Sequence, residues 1–259
     1  MTEPQTITQR SAVITGASAG IGAATARHLA QHGLGVVLVA RSEGKLQELA
    51  DEIGEAGGKA AVCAGDVGDP AVLQRAVAMA GEQFGPVDLL VNNAGLIDPI
   101  ARIEDSDPAQ WAMIVDVNLK GVYYGLRCAI PVMKANGGGT IINISSGAAT
   151  GALEGWSHYC ATKAAVLSLT KCVDKEEAEN GIRMIGLSPG TVATEMQTQI
   201  KASGINPVSQ LDWEAHIPAE WVAQAIAFLC TSAADEWRGQ DFSLKTDEGR
   251  AAAGLPRMK

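Results

Sequence analysis

The chain has 259 residues, of which 47% are hydrophobic and only 4% aromatic, and its formal net charge is −9. Acidity of this size argues against a nucleic-acid surface, which needs clustered cations, and no apolar run reaches the roughly 20 residues that span a bilayer. An aliphatic, aromatic-poor composition at this length suits a single α/β domain over residues 1–259, with buried parallel strands.

Residues 1–10 are polar and hold no signal-peptide core. The cysteines Cys63, Cys128, Cys160, Cys172 and Cys230 form no CxxC and no zinc-like spacing, so they read as reduced thiols of a cytoplasmic protein. His28, His32, His158 and His216 are scattered and predict no metal site.

Short apolar runs alternate with helical stretches along the chain. The first strand is expected at 12–15 and the first helix at 21–32, with Gly33 as its left-handed cap. Between them lies Thr15-Gly16-Ala17-Ser18-Ala19-Gly20-Ile21-Gly22. A glycine-rich turn between a strand and a helix lets backbone N–H groups approach a pyrophosphate at the helix N-terminus. Here the spacing is GxxxGxG.

The second strand, 36–40, ends in Ala40-Arg41-Ser42. An acid at that point would bind ribose hydroxyls and repel a 2′-phosphate. Arginine instead pairs with phosphate through a charge-assisted fork, so the expected cofactor is NADP(H), with Arg41 at its 2′-phosphate.

Helices near 43–56 and 70–84 flank a strand at 60–64, and strands at 89–91 and 140–144 enclose a long helix at 108–134. A further helix at 157–180 leads to a strand at 184–187. The helix at 219–232 and a strand at 242–244 close the pattern. Such alternation indicates βαβ units: about seven strands in a doubly wound, Rossmann-like parallel sheet with helices on both faces. The segment 191–217 breaks the rhythm and reads as a substrate loop or lid.

Tyr159 and Lys163 fall on one helix face, one turn apart, with Ser146 thirteen residues upstream of the tyrosine. An ammonium beside a phenol favours the phenolate, so the spacing predicts a tyrosine pKa drawn down towards working pH. Such a group can exchange a proton with a carbonyl or alcohol oxygen.

These motifs, together with Asp66-Val67, Asn92-Asn93-Ala94-Gly95, Asn118 in VNLKG, Ser146 in NISSG and Pro189-Gly190, stand in an order and spacing that resembles the short-chain dehydrogenase/reductase family over nearly the whole chain. The resemblance implies Tyr159 as general acid/base, Lys163 as its tuner and a ligand of the nicotinamide ribose, and Ser146 rather than Ser145 as the serine that holds the substrate oxygen. Asn118 would hold a water linking Lys163 to solvent. The implied cofactor-binding set is Gly16, Ser18, Ala19, Gly20, Ile21, Gly22, Arg41, Ser42, Asp66, Val67, Asn93, Ala94, Gly95, Tyr159, Lys163, Pro189, Gly190, Val192 and Thr194. The implied activity is NADP(H)-dependent hydride exchange with a small-molecule carbonyl or secondary alcohol. A homotetramer or homodimer is implied as well.

A weaker similarity, through Ser146–Ala149, Gly155-Trp156 and Thr194–Gln197, is to sepiapterin reductase-like members. Trp156 and Met196 are the expected substrate-pocket wall, with Trp213 a further candidate and Arg102 a candidate for an anionic substrate group. Where many members end in Asp-Gly-Gly, this chain has Lys245–Gly249 and an extra tail at 250–259. A catalytically silent NADP-binding sensor or scaffold is the alternative, and the intact Ser146, Asn118, Tyr159 and Lys163 argue against it.

Overall fold

The computed structural model describes residues 7–257; the readings above that fall on residues 1–6 and 258–259 lie outside them. One parallel sheet runs through the molecule in the order β3-β2-β1-β4-β5-β6-β7. Its strands are β1 (Ser11–Thr15), β2 (Gly35–Ala40), β3 (Lys59–Ala64), β4 (Leu89–Asn92), β5 (Gly139–Ile144), β6 (Ile182–Ser188) and β7 (Asp241–Ser243). Successive residues of one strand feed opposite faces. Ile14 and Leu38 belong to one buried cluster, Val13 and Val37 to the other. Strands covered on both faces must be apolar throughout, which is why β1 and β2 read as unbroken runs.

Helices α1 (Gly20–Gln31), α2 (Glu43–Glu55) and α8 (Ala219–Leu229) cover the first face through Leu29, Leu46 and Ile226. Helices α3 (Pro70–Gln83), α5 (Gly121–Ala135) and α6 (Ser157–Glu177) cover the second through Val72, Leu126 and Val166. This is the doubly wound, Rossmann-like fold that the alternation predicts. The strand order reverses between β1 and β4, and such a switch point opens a crevice at the C-terminal strand ends.

The structure departs from expectation in three places. The helix expected over 108–134 is divided into α4 (Pro108–Val115), a π-helical turn (Asp116–Lys120) and α5. That turn buries Asn118, whose Oδ1 accepts from Leu96 N and whose Nδ2 donates to Leu96 O, both at 2.8 Å. Two side-chain bonds to one backbone residue compensate the interrupted helical ladder.

The 191–217 segment carries α7 (Glu195–Ser203) and two 3₁₀ turns (Pro207–Gln210, Trp213–Ala215), and a parallel bridge between Val192 and Ile217 ties its ends. Finally, the region that replaces Asp-Gly-Gly forms α9 (Asp247–Ala252), whose Thr246 side chain caps Gly249 N at 3.0 Å.

Candidate active site

A cavity of about 860 Å³ lies beyond the C-terminal strand ends. Every strand contributes the residues that follow it: Gly16 after β1, Arg41 after β2, Asp66 after β3, Asn93 after β4, Ser146 after β5, Pro189 after β6 and Lys245 after β7. At the β1 end the turn is packed to its limit. Gly16 has φ +67, and a Cβ there would stand 2.9 Å from Ala94 Cα. Asn93 Nδ2 donates to Thr15 O at 2.9 Å and to Gly16 O at 3.2 Å, fixing the turn against β4.

Helix α1 then starts with no side-chain cap, because its N-cap residue is Ala19. Its first N–H groups therefore remain for a ligand in the cavity. The narrow turn, the uncapped helix and the volume fit a dinucleotide's pyrophosphate and rings.

Helix α6 brings Tyr159 and Lys163 to the other end. It is rich in alanine, leucine and lysine, and buries the stripe Tyr159, Lys163, Val166, Thr170 and Val173 against the sheet. Tyr159 is 8% exposed and Lys163 5%. Burial pushes the Tyr159 phenol up to about 12, and a hydrogen bond with the Ser146 side chain pulls in the opposite direction. Burial also lowers Lys163 to about 8, against the opposing charge of Asp241.

The direction expected for Tyr159 is thus reversed. Lys163 Nζ donates to Ile144 O at 2.6 Å and stands 5.6 Å from the Tyr159 ring centroid. One of the three ammonium donors engages a backbone carbonyl, and desolvation of the phenol outweighs the nearby charge.

Most residues of the expected cofactor set line this cavity: Gly16, Ser18, Ala19, Gly20, Ile21, Arg41, Ser42, Asp66, Val67, Asn93, Ala94, Gly95, Pro189, Gly190, Val192 and Thr194, along with Ser146, Tyr159, Lys163, Trp156 and Met196. Gly22 and Asn118 stand behind the wall. A Cβ on Gly22 would meet Gly16 O at 2.2 Å, so that glycine is needed for the turn's packing. The Asn118 amide, besides its two bonds to Leu96, donates to Thr162 Oγ1 at 3.4 Å, which leaves the side chain engaged with protein groups. Trp156 sets its ring at 77° to that of Tyr159, with centroids 5.6 Å apart.

Trp213 is exposed, packs on His216 and takes no part in the cavity wall. Arg102 Nε donates to Glu154 Oε1 at 2.8 Å, outside the main cavity.

Sequence reasoning missed a second polar group beneath Lys163. Ser145 Oγ donates to Asp241 Oδ2 at 3.2 Å, while Asp241 Oδ1 is buried without a partner among the described residues. Burial raises Asp241 to about 6, and the bond from Ser145 and the charge of Lys163 oppose the rise. The register aligns Asn92, Asn143, Gly186 and Asp241 across four neighbouring strands. A Cβ on Gly186 would lie 2.8 Å from Asp241 Oδ1, so the absent side chain is what admits the carboxylate. The sequence signal was there, polar residues on three of four strands at one level with a glycine on the fourth, but it appears only once the register is known.

Residues 10–204 match the family model for short chain dehydrogenase. Cyclohexanol dehydrogenase of Acinetobacter sp. (strain SE19) is 34% identical over 234 residues, 89% of this chain and 91% of that protein. Cis-4-hydroxycyclohexanecarboxylate dehydrogenase of Sinomonas cyclohexanicum is 35% identical over 232 residues, 87% and 91% of the two chains. Among solved structures, L-sorbose reductase from Gluconobacter frateurii, complexed with NADPH and L-sorbose, superposes with a TM-score of 0.83 at 29% identity, covering 93% of this chain and 96% of that one. The chain belongs to the short-chain dehydrogenase/reductase family. It is an oxidoreductase of the alcohol/carbonyl class, in a family that uses a nicotinamide cofactor. No helix among the described residues is long and apolar enough to cross a membrane.

Proposed function

We propose that the protein is an NADP(H)-dependent reductase/dehydrogenase of ketones and secondary alcohols, cyclic ones above all. The observation that carries this is the convergence of Ser146, Tyr159 and Lys163 in the same cavity as the glycine turn and Arg41. Cyclic substrates follow from the two relatives that act on cyclohexanols, and from a pocket wall of Ile97, Leu153, Trp156, Met196, Ile200 and Val208 that suits an apolar ring.

NADP(H) is favoured by Arg41, an exposed guanidinium on the cavity rim with no ion pair among the described residues. The NADPH held by L-sorbose reductase agrees with that choice. When bound, the nicotinamide supplies or accepts the hydride.

The chain's own residues do the rest. Ser146 and Tyr159 hold the substrate oxygen. Tyr159, a phenol protonated at neutral pH and held more firmly so by its burial, donates its proton as the carbonyl is reduced to an alkoxide, a step contributing on the order of 10²–10⁴ in rate. Lys163 holds the ribose, and Asn118 fixes the 94–96 loop beside it through Leu96. The wall of aliphatic and indole side chains excludes water. We further take residues 1–259 as one catalytic unit with 191–217 as its lid, working in the cytoplasm as a homotetramer or homodimer.

The test is reduction of a panel of cyclic and open-chain ketones with NADPH and NADH, wild type beside Tyr159→Phe. Turnover with NADPH that falls at least 100-fold in the variant, with nucleotide affinity retained, supports the reading. Equal kcat in both proteins refutes it.

A further inference from the structure

We infer that the ammonium of Lys245 is a reader for an anionic substituent, a carboxylate, on the substrate of this same cavity; the inference rests on the carbonyl/alcohol reading above and narrows its substrate class. Lys245 is what the β7 end contributes to the cavity. Its backbone is fixed. Leu244 N donates to Ser188 O at 3.0 Å, and Lys245 N donates to Ser243 Oγ at 3.2 Å.

The side chain lies in a slot that two glycines leave open. A Cβ on Gly190 would meet Lys245 Cγ at 3.0 Å, and one on Gly147 would meet Nζ at 3.4 Å. Gly147 directly follows Ser146, and Gly190 directly follows Pro189. The charge therefore stands at the reacting end.

Among the described residues Lys245 Nζ has no hydrogen bond and no ion pair, although Asp66 and Glu195 also line the cavity. The other cations of the cavity are committed or remote. Lys163 is buried on Ile144 O. Arg41 follows β2, five strands from β7, which at about 4.8 Å per strand is on the order of 24 Å. Arg102, the arginine that the sequence offered for an anion, is paired with Glu154 outside the main cavity. A protein of net charge −9 repels an anionic substrate overall. Lys245 is exposed at the cavity mouth, and its unpaired ammonium beside the aliphatic side of the wall is the feature that would select one, since a charge-assisted bond exceeds a neutral one.

The test compares two ligands of one shape, cyclohexanecarboxylate and its neutral amide cyclohexanecarboxamide. Both are titrated calorimetrically into wild type, Lys245→Gln and Lys245→Arg, each saturated with NADP⁺. The wild type should prefer the carboxylate, the preference should fall about tenfold in Lys245→Gln, and Lys245→Arg should restore most of it. An unaltered ratio of the two Kd values in Lys245→Gln overturns the inference. So does a parallel loss for both ligands, or a weakened NADP⁺ Kd, which would assign Lys245 to the nucleotide. Binding judges Lys245, whereas the ketone panel with Tyr159→Phe judges the reaction, so either can fail without the other.

Discussion

Replacing Lys163 by methionine should abolish turnover and yet make the protein more stable near neutral pH. Lys163 is 5% exposed, and burial lowers its pKa from 10.5 to about 8. That drop corresponds to about 3 kcal/mol held against the charged form. Methionine keeps much of the aliphatic volume and removes the charge. It also gives up the bond to Ile144 O, worth about 1 kcal/mol net, so the gain at pH 7 is about 2 kcal/mol, or roughly 5 °C in Tm for a chain of this size.

The pH dependence fixes the cause. Because the folded pKa lies below the unfolded one, the folded state carries the penalty in full below pH 8. The penalty fades between about 8 and 10.5, where the unfolded lysine also loses its proton. The stability gain of Lys163→Met should fade over the same window. Calorimetric Tm measured without nucleotide from pH 6 to 10.5 tests this. A Tm lower than wild type at pH 7 would show that the ammonium is a net stabiliser and would refute the argument.

Three further outcomes follow from the same geometry. Arg41→Ala should raise the Kd of NADPH by roughly 10–100-fold, the range of a lost charge-assisted phosphate bond, and leave that of NADH within twofold; equal effects would mean that no 2′-phosphate is read there. Ser146→Ala should cost at least 100-fold in kcat. Ser145→Ala should cost far less activity, and about 1–3 kcal/mol of stability through the lost bond to Asp241. That stability loss should be larger above pH 6, where Asp241 is ionised, than at pH 5; a ranking of kcat with Ser145 as the more damaging site would reverse the assignment of the two serines. Gly22→Ala puts a methyl 2.2 Å from Gly16 O. It should weaken either nucleotide at least tenfold by opening the turn, and an unchanged Kd in a direct titration would show that the turn yields without loss.

The fold was legible because its signals are local. Strands buried on both faces must be apolar runs, so β1, β2, β5 and β6 were found within one or two residues of their ends. Helices α1, α2 and α3 were found for the complementary reason, a periodic apolar stripe between strands. What was not local was lost. The π-helical turn at Asp116–Lys120 has no spacing signature, since it is sustained by Asn118 reaching Leu96, 22 residues away in sequence. The short helix α7 spans nine residues, too few turns for an apolar stripe to stand out within the 191–217 segment.

The same division runs through the site. Side chains that follow strand ends, such as Ser146 and Arg41, could be placed from sequence, because a parallel sheet gathers its strand ends on one rim. Their ionisation could not be. The spacing of Tyr159 and Lys163 is a statement about one helix face, and from it the ammonium alone seems to govern the phenol. In the folded protein the governing quantities are the depth of both groups and the carbonyl of Ile144, 19 residues from Lys163. Asp241, 78 residues beyond Lys163, then sets a carboxylate against the ammonium through a gap that Gly186 leaves. A proton equilibrium is decided by everything packed round the group, so helix periodicity places the phenol beside the ammonium but does not give its pKa. Lys163 and Asp241 each hold their charge at a cost in stability, because burial opposes both ionised forms.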